Sequence, residues 1–560
     1  MIKQIQNIGE YVEKVYPERS PVESMVNRIK SEDMKYVLIA NIQDGKVTYN
    51  TVDFYRNVTM EALFCQQRRL FLGGGMRLDY YEQLDAKKEP KGRKKLKAAC
   101  DFCEVGSHYE EIKNHIESYL QGHDKNTFLL IIVDGKKPIE LFKQKFLDAM
   151  YSTMYKELKG TNHCHLCKNT GKTYNTTTYV FYTNDKEIYG NIDDAEKTGF
   201  AMCEQCLNRI ITGKEYFDKY LNTYWLGKQV MFLPHHYDEN VASVYETTES
   251  SENNEQTNLI NKLRSNEEGV LDQIGKTDSV TDIVFYEDDG KSFNIVHTIQ
   301  SILPSRFSFL GDLLRNKYGL KLFFILKYIA LVKVSLDDIE TTNKEQMKML
   351  EAIFTGKKIN RNLFFKRVMD VYKYYYLKNE TKKFYPMKTI NYIYNFLCEC
   401  GCLEKGWNVL ADYKDYNELF EQNTDYFDSN EKKAWFILGK AYDTMIYYMR
   451  RGKKGEDGDI SSDEKTPDER TSLEKTFFFA RKFDFNDFIY FSNLLSDKAI
   501  KYKSNTIYFK NMLCEAKELM ARKEGKLSFD EAKYLFFWGM DSYFKKEDDK
   551  QEDTIKEEGE

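Results

Sequence analysis

The chain has 560 residues, of which 42% are hydrophobic and 15% are aromatic, so it can bury a large core and disorder is not expected. Its length suggests roughly three or four domains at about 150 residues each. The formal net charge of −5 excludes a globally basic nucleic-acid-binding protein, so any such role needs a local basic patch.

The N-terminal part of the chain has patterns of both helices and strands. The predicted elements are an amphipathic helix over 1–31, a strand over 36–40 that turns at Asp44-Gly45, and a strand over 127–133. We therefore predict a mixed α+β domain over residues 1–150.

A run of basic residues interrupts this domain. Residues 61–100 contain ten Lys or Arg and five Asp or Glu, beside the three glycines Gly73, Gly74 and Gly75. Clustered cations next to such a loop suit phosphate contacts, whereas the alternative is a solvated loop with no ligand. The candidate nucleic-acid-binding residues are Arg68, Arg69, Gly73, Gly74, Gly75, Arg77, Lys87, Lys88, Lys91, Arg93, Lys94, Lys95 and Lys97.

Two cysteine pairs carry the clearest chemical signal of the sequence. Cys164 and Cys167 form one C-x-x-C pair, and Cys203 and Cys206 form a second, with 35 residues between the two pairs. Two such knuckles supply the four thiolates of a closed tetrahedral zinc site, which leaves no position for a catalytic water. We predict one structural zinc ion in an element over 151–235 that carries a further strand over 179–183.

Other interpretations of these cysteines remain open. The four could be buried free thiols, or one pair could be a redox site, although a redox site would need only one pair. His163 and His165 could replace a thiolate or support the ligands. Cys100 and Cys103 could hold a second metal, but no further pair follows, which favours small side chains on a helix.

The remainder of the chain divides into a polar stretch and a helical region. Residues 236–266 are predicted to be a linker or mobile loop, residues 267–360 to continue the α+β part with strands over 282–286 and 293–296, and 546–560 to be an acidic disordered tail. A helical bundle is predicted over 361–545. Helical periodicity occurs over 320–333, 344–355, 361–377, 387–400, 431–451, 472–495, 496–522 and 528–545. The predicted fold class is therefore multidomain α+β with an inserted zinc-ribbon-like element and an all-helical C-terminal bundle.

Patterns typical of catalytic sites are missing from the sequence. No P-loop follows the three glycines, no nucleophile elbow occurs, and His123-Asp124 lacks further metal ligands at a suitable spacing. We therefore expect a protein that is not an enzyme. We also expect the reducing cytoplasm, because the eleven cysteines do not form a disulfide framework and no window resembles a membrane helix.

The order of several motifs resembles a known family. The motifs are the four cysteines, Leu207-Asn208-Arg209-Ile210-Ile211-Thr212-Gly213, Leu226-Gly227, Met231-Phe232-Leu233-Pro234, Val284-Phe285-Tyr286, Phe293-Asn294-Ile295-Val296, Leu303-Pro304-Ser305-Arg306-Phe307 and Phe436-Ile437-Leu438-Gly439-Lys440. Over roughly residues 150–545 the chain is similar to the large subunit of type I-B CRISPR Cascade effector complexes.

The resemblance implies a non-catalytic scaffold in an RNA-guided surveillance complex. Its implied partners are guide RNA, backbone subunits, double-stranded target DNA, the displaced strand and a separate helicase–nuclease. The implied role is to recognise the short motif that flanks the target, to stabilise the opened DNA and to present it for cleavage. The C-terminal helices would lie along the displaced strand, where aromatic and basic residues at 372–376 and 477–482 could stack on bases, unless they pack in the core.

Two other classes of function remain as alternatives. One is a zinc-containing nuclease or other antiviral enzyme, and the other is a zinc-ribbon adaptor with only protein partners.

Overall fold

The chain folds into two compact units that each contain both helices and strands. The computed structural model describes residues 1–16, 22–27, 29, 33–55, 57–67, 70–84, 90–153, 157–158, 163–175, 201–246, 248–250, 256–288, 293–334, 339–378, 386–454, 476–477, 482–523 and 527–544. The first unit comprises 1–224, 228–261 and 278–300, and the second comprises 225–227, 262–277 and 301–560. The predicted mixed α+β class with a helical C-terminal region is confirmed.

Fourteen strands lie wholly or mainly in the first unit, within the part of the chain that is described. They are β1 (Tyr36–Gln43), β2 (Lys46–Asp53), β3 (Cys65–Gln67), β4 (Leu70–Leu72), β5 (Gly75–Arg77), β6 (Thr127–Val133), β7 (Tyr174–Asn175), β8 (Ala201–Met202), β9 (Asn222–Trp225), β10 (Lys228–Pro234), β11 (Thr248–Ser250), β12 (Gln256–Asn258), β13 (Thr281–Asp288) and β14 (Phe293–Ile302). Two four-stranded sheets have the orders β2-β1-β6-β5 and β14-β13-β10-β9.

The first unit also contains helices. The helices of the first unit are α1 (Ile2–Val15), α2 (Val22–Met25), α3 (Val58–Glu61), α4 (Lys91–Phe102), α5 (Tyr109–Gly122), α6 (Pro138–Thr153), α7 (Glu204–Tyr220) and α8 (Glu239–Tyr245). Short 3₁₀ turns occur at Gly106–His108 and Leu259–Arg264.

The two inner strands of the first sheet, β1 and β6, are buried on both faces, whereas β2 is not. β1 and β6 are parallel, and the alternation of side chains along a strand sends Leu38 and Leu129 into one core and Val37 and Leu130 into another. Leu207 of α7 packs in the first of these cores. The helix that carries the second cysteine pair is therefore anchored in the core of the first unit.

The second unit is mainly helical. Its helices are α9 (Glu267–Ile274), α10 (Pro304–Asp312), α11 (Leu322–Ile329), α12 (Asn343–Thr355), α13 (Arg361–Leu377), α14 (Pro386–Glu399), α15 (Tyr416–Gln422), α16 (Asn430–Lys454), α17 (Phe485–Lys501), α18 (Ile507–Ala521) and α19 (Phe529–Asp541), with a π-helical turn at Leu313–Tyr318. Strands β15 (Leu331–Val334) and β16 (Ile339–Thr341) form a small hairpin. α16 and α19 pack backbone to backbone, because a Cβ on Gly439 would lie 1.9 Å from the carbonyl oxygen of Phe536.

The structure corrects the predicted N-terminal helix over 1–31. α1 ends at Val15, and Tyr16 has a non-helical backbone with φ −125° and ψ 65°. Pro17 follows in the sequence, and a proline disfavours helical backbone at the residue before it.

The polar stretch predicted as a linker over 236–266 contains regular structure. Asp238 caps α8 by accepting a hydrogen bond from the backbone N–H of Val241, and Tyr245 on the same helix is fully buried. A few well-placed apolar residues and a cap therefore outweigh the polar composition of this segment.

Three helices predicted in the second unit have different bounds in the structure. The helix predicted over 320–333 ends at Ile329 and is followed by β15. The boundary predicted between the helices over 472–495 and 496–522 also differs. α17 continues to Lys501 and has Asp484 as its N-cap, and α18 begins at Ile507 with Thr506 as its N-cap. The apolar periodicity continues from one of these helices into the next, so the capping residues, and not the periodicity, set where α17 and α18 begin.

Candidate metal centre and basic helix

The first cysteine pair lies on a tight turn of the backbone. The N–H of Lys168 donates to the carbonyl of Cys164 at 2.9 Å, and the N–H of Cys164 donates to the carbonyl of Asn169 at 2.9 Å. Lys168 has a positive φ of 65°, which closes the turn. Cys164 is buried and Cys167 is exposed, so the site lies at the surface of the unit.

The second cysteine pair begins α7. Cys203 precedes the first helical residue with an extended backbone, and Cys206 lies in the first turn. The unpaired N–H groups and dipole at a helix N-terminus favour a thiolate. β8 ends directly before Cys203 and pairs with β7, which follows the first knuckle, so the short sheet holds the two knuckles together.

The four cysteine sulfurs meet in one cluster, here called the four-sulfur cluster. The Sγ atoms of Cys164, Cys167, Cys203 and Cys206 all lie within 4.8 Å of one another, and those of Cys167 and Cys203 are 3.6 Å apart. Zinc–sulfur bonds of about 2.3 Å in a tetrahedron place sulfurs roughly 3.8 Å apart. The donor set therefore fits a metal ion and is consistent with zinc.

The electrostatics of the cluster favour a bound cation when the thiols are deprotonated. Burial raises the pKa of the Cys164 thiol, but backbone hydrogen bonds from Cys167, Cys203 and Leu166 outweigh that effect and lower it to about 7. Burial and the neighbouring sulfurs raise the pKa of Cys206. Four adjacent thiolates repel one another, and a divalent ion removes this repulsion.

The two flanking histidines have other contacts. Nδ1 of His165 accepts a hydrogen bond from the backbone N–H of Ala201 at 3.0 Å, which occupies that nitrogen. His163 is exposed and pairs through its backbone with Thr170. His165 thus supports the first knuckle from outside the four sulfurs.

The other C-x-x-C pair is part of the core. Cys100 lies in α4, Cys103 caps it, and burial raises the pKa of the Cys100 thiol to about 12. Of the two histidines downstream, His115 stacks on Tyr49 with ring centroids 3.5 Å apart. The described residues give a single group of candidate metal ligands, and it is the four-sulfur cluster.

Gln6 is a site residue that the sequence did not indicate. It lies on the buried side of α1, is 2% exposed, and donates from Nε2 to Sγ of Cys206 at 3.2 Å. A buried polar side chain on an amphipathic helix was the available signal, but nothing local connects residue 6 with residue 206.

The basic run forms a helix where the structure describes it. Lys91, Arg93, Lys94 and Lys97 are exposed on α4, whereas Lys95 is half-buried and burial lowers its pKa. Arg93 pairs with Glu117 at 2.9 Å. Arg68, Arg69, Lys87 and Lys88 lie outside the described residues.

Arg77 is already engaged by a carboxylate. Its Nε and Nη2 atoms donate to the two oxygens of Asp79 at 3.1 and 2.8 Å, and its guanidinium lies 4.8 Å from the ring centroid of Tyr80. A guanidinium bound at two points has few donors left for a base edge. The exposed cations of α4 are therefore better placed for contact with phosphates than Arg77.

Packing within the first unit explains why residues 73–75 are glycines, and the alternative of a solvated loop does not apply to them. Gly73, Gly74 and Gly75 are all buried. A Cβ would lie 2.2 Å from the carbonyl oxygen of Leu63 at Gly73 and 2.4 Å from Sγ of Cys103 at Gly74. Close approach of the chain to itself is sufficient to explain these glycines.

Aromatic residues proposed for stacking belong in part to the core. Tyr372 is buried and donates to Asp541 at 2.6 Å, and Phe477 is buried against Tyr442. Tyr374, Tyr375 and Tyr376 are half-buried, and residues 478–481 lie outside the described chain. The core-packing alternative therefore applies to Tyr372 and Phe477.

No helix of the described residues is both long enough and apolar enough to pass through a bilayer.

Comparison with known proteins gives two matches, both to family sequence models. Residues 161–302 match the model described as CRISPR-associated protein TM1802 (cas_TM1802) central domain, and residues 324–444 match the model described as the C-terminal domain of the same protein. No curated protein matches the chain. The matches support a family of CRISPR-associated proteins, and the four-sulfur cluster lies within the first match.

Proposed function

We propose that this chain, a CRISPR-associated protein by its two family matches, is the non-catalytic large subunit of a type I-B CRISPR effector complex. The observation that carries the proposal is that both matched models describe domains of one CRISPR-associated protein and occur here in the order central, then C-terminal. The resemblance to the type I-B large subunit covers the same part of the chain. Its partners are then guide RNA, backbone subunits, target DNA and a separate helicase–nuclease.

The four-sulfur cluster has a structural role in this proposal. Cys164, Cys167, Cys203 and Cys206 hold one zinc ion, which ties the turn after residue 163 to the start of α7. Four thiolates fill the coordination sphere, so a bound ion would supply folding free energy and leave no position for a reacting water. The cluster therefore stabilises a platform without doing chemistry.

The exposed cations of α4 supply the contact with DNA. Base pairing with the guide reads the target sequence, whereas the protein contacts the flanking motif and the phosphate backbone. Lys91, Lys94 and Lys97 occur every third residue and extend over roughly 9 Å of helix, a length that corresponds to about three phosphates of one strand. These three residues, and not the glycines, are the proposed phosphate contacts.

Co-purification tests the proposal directly. The tagged full-length chain, expressed with its neighbouring complex subunits and a guide RNA, should purify with that RNA and with repeated backbone subunits. The assembled complex should bind a matching duplex more tightly when the correct flanking motif is present, with strong salt dependence.

Two results would contradict the proposal and favour its alternatives. The first is cleavage of DNA or RNA by the purified chain in the presence of magnesium or manganese. If mutation of the chain's own residues abolishes this cleavage, the protein is an enzyme. The second is that the chain assembles with other proteins but makes no salt-sensitive contribution to the binding of DNA by the complex. That result would indicate a protein-interaction adaptor.

A further inference from the structure

The N-terminal helix α1 lies directly on α7, the helix that carries the second cysteine pair. The two backbones touch at glycines: a Cβ on Gly9 would lie 1.8 Å from the carbonyl oxygen of Arg209, and one on Gly213 would lie 2.2 Å from that of Ile5. Arg209 also pairs with Glu13 at 2.5 Å and with Glu10 at 3.4 Å. The glycine contacts and the ion pairs of Arg209 therefore hold α1 in one position on α7.

This packing brings Gln6 to the four-sulfur cluster in one orientation. Lys3 donates from Nζ to Oε1 of Gln6 at 2.8 Å, and Nε2 of Gln6 donates to Sγ of Cys206 at 3.2 Å. An ammonium can only donate and a thiolate can only accept, so the amide nitrogen must point to the sulfur. The contact is buried and links residues 200 positions apart.

We propose that binding of a metal ion at the four-sulfur cluster and docking of α1 on α7 are coupled, with Gln6 as the positioning residue that links them. The inference rests on the proposed metal role of the cluster and is independent of the proposed role in DNA recognition. Gln6 does not bind the ion; it donates to a thiolate that does.

The physical basis is a charge-assisted hydrogen bond. An N–H donor disperses the negative charge of a metal-bound thiolate and holds the sulfur in position, and loss of such a contact typically weakens metal binding about 10- to 100-fold. Such coupling is reciprocal. Docking of α1 therefore raises the affinity of the cluster for the ion by the same factor by which the bound ion raises the equilibrium constant for docking of α1.

A pair of leucine variants on the same helix tests the coupling. Gln4 is the matched control, because it is also buried on α1 but its side-chain amide donates to the carboxylate of Asp282 at 2.9 Å and not to a sulfur. Full-length Gln6→Leu should bind zinc about 10- to 100-fold more weakly than wild type in a chelator competition. Gln4→Leu should retain the wild-type affinity. Equal affinities in all three proteins, or equal losses in both variants, would overturn the inference.

Hydrogen exchange of the wild-type protein gives a second measurement that does not depend on how the variants fold. Removal of zinc by a chelator should speed exchange in α1 more than in β6, which belongs to the same unit. Unchanged exchange in α1, or equal acceleration in both elements, would contradict the coupling. A wild-type protein that takes up no zinc would overturn the metal site itself, which distinguishes the two failures.

Discussion

Arg361 and Glu531, 170 positions apart in the sequence, form a two-point ion pair inside the second unit. Nη2 of Arg361 donates to Oε1 of Glu531 at 2.6 Å, and Nε donates to Oε2 at 3.2 Å. The guanidinium lies 5.5 Å from the ring centroids of Phe365 and Tyr394. Burial lowers the pKa of Arg361, but Glu531 outweighs that effect and holds it above its usual value. This pair joins the starts of α13 and α19.

Replacement of Arg361 by methionine should destabilise the second unit by about 3 kcal/mol, because Glu531 is only 6% exposed and would keep only its longer contact of 3.8 Å with Lys432. Denaturant unfolding followed by tryptophan fluorescence measures this effect. The signal reports mainly on the second unit, since Trp407, Trp435 and Trp538 lie within it and only Trp225 ends a strand of a first-unit sheet.

The matched control is Lys358→Met, which breaks a pair with Glu404 at 3.0 Å between side chains that are 61% and 70% exposed. Such surface pairs contribute about 0–1 kcal/mol. Equal losses of unfolding free energy in the two variants would show that burial does not increase the contribution of the Arg361–Glu531 pair to stability.

Cys203→Ser should reduce bound zinc from about one ion per chain to nearly none, because three thiolates bind the ion much less tightly. The first unit should also melt at a lower temperature. Elemental analysis of the purified protein and a thermal scan by circular dichroism measure both effects.

Cys514→Ser serves as the control for this variant, since Cys514 is an exposed thiol on α18 and lies outside the four-sulfur cluster. It should keep the zinc content and the melting temperature of wild type. Retention of full zinc content by Cys203→Ser would contradict the assignment of the ligands.

Gly9→Ala should separate α1 from α7 and destabilise the first unit by about 1–3 kcal/mol, since the added Cβ would meet the Arg209 carbonyl at 1.8 Å. If α1 is coupled to the metal, the same variant should lower zinc affinity. Thermal unfolding and chelator competition are the two measurements.

Gly122→Ala provides the comparison, because Gly122 lies in the last turn of α5 and a Cβ there would have nothing within 4 Å. It should be neutral or stabilise the protein by up to about 1 kcal/mol. A Gly9→Ala protein as stable as Gly122→Ala would mean that the two helices do not approach as closely as described.

Neutralisation of the exposed lysines of α4 should weaken DNA binding uniformly across sequences. A triple change of Lys91, Lys94 and Lys97 to glutamine removes three phosphate contacts, so the slope of log affinity against log salt should become less steep by about 2–3. Titration of a target duplex with the assembled complex at several salt concentrations gives that slope.

A second triple variant controls for net charge. Lys46, Lys136 and Lys143 are exposed in the same unit and outside α4, and their change to glutamine removes the same charge. An equal change of slope in both triple variants would remove α4 from the proposed contacts and leave only a general effect of charge.

Local geometry explains what could be predicted from the sequence. Asp44 and Gly45 both have positive φ in the predicted hairpin turn, and β6 has the predicted bounds over 127–133. The two C-x-x-C pairs likewise indicated metal-binding knuckles, because that spacing alone aims both sulfurs of a pair at one point. Each of these features is set by residues within one turn of backbone.

The sequence by itself thus determined the fold class, the hairpin, the buried strand and which cysteines could act together. Only the tertiary structure decided that Gln6 reaches Cys206, that the three glycines are buried, and that Arg361 and Glu531 pair. Such contacts depend on how helix faces pack over distances of up to 200 residues. A local pattern shows that a face is buried, but the partner of each polar group on that face depends on the whole packing arrangement.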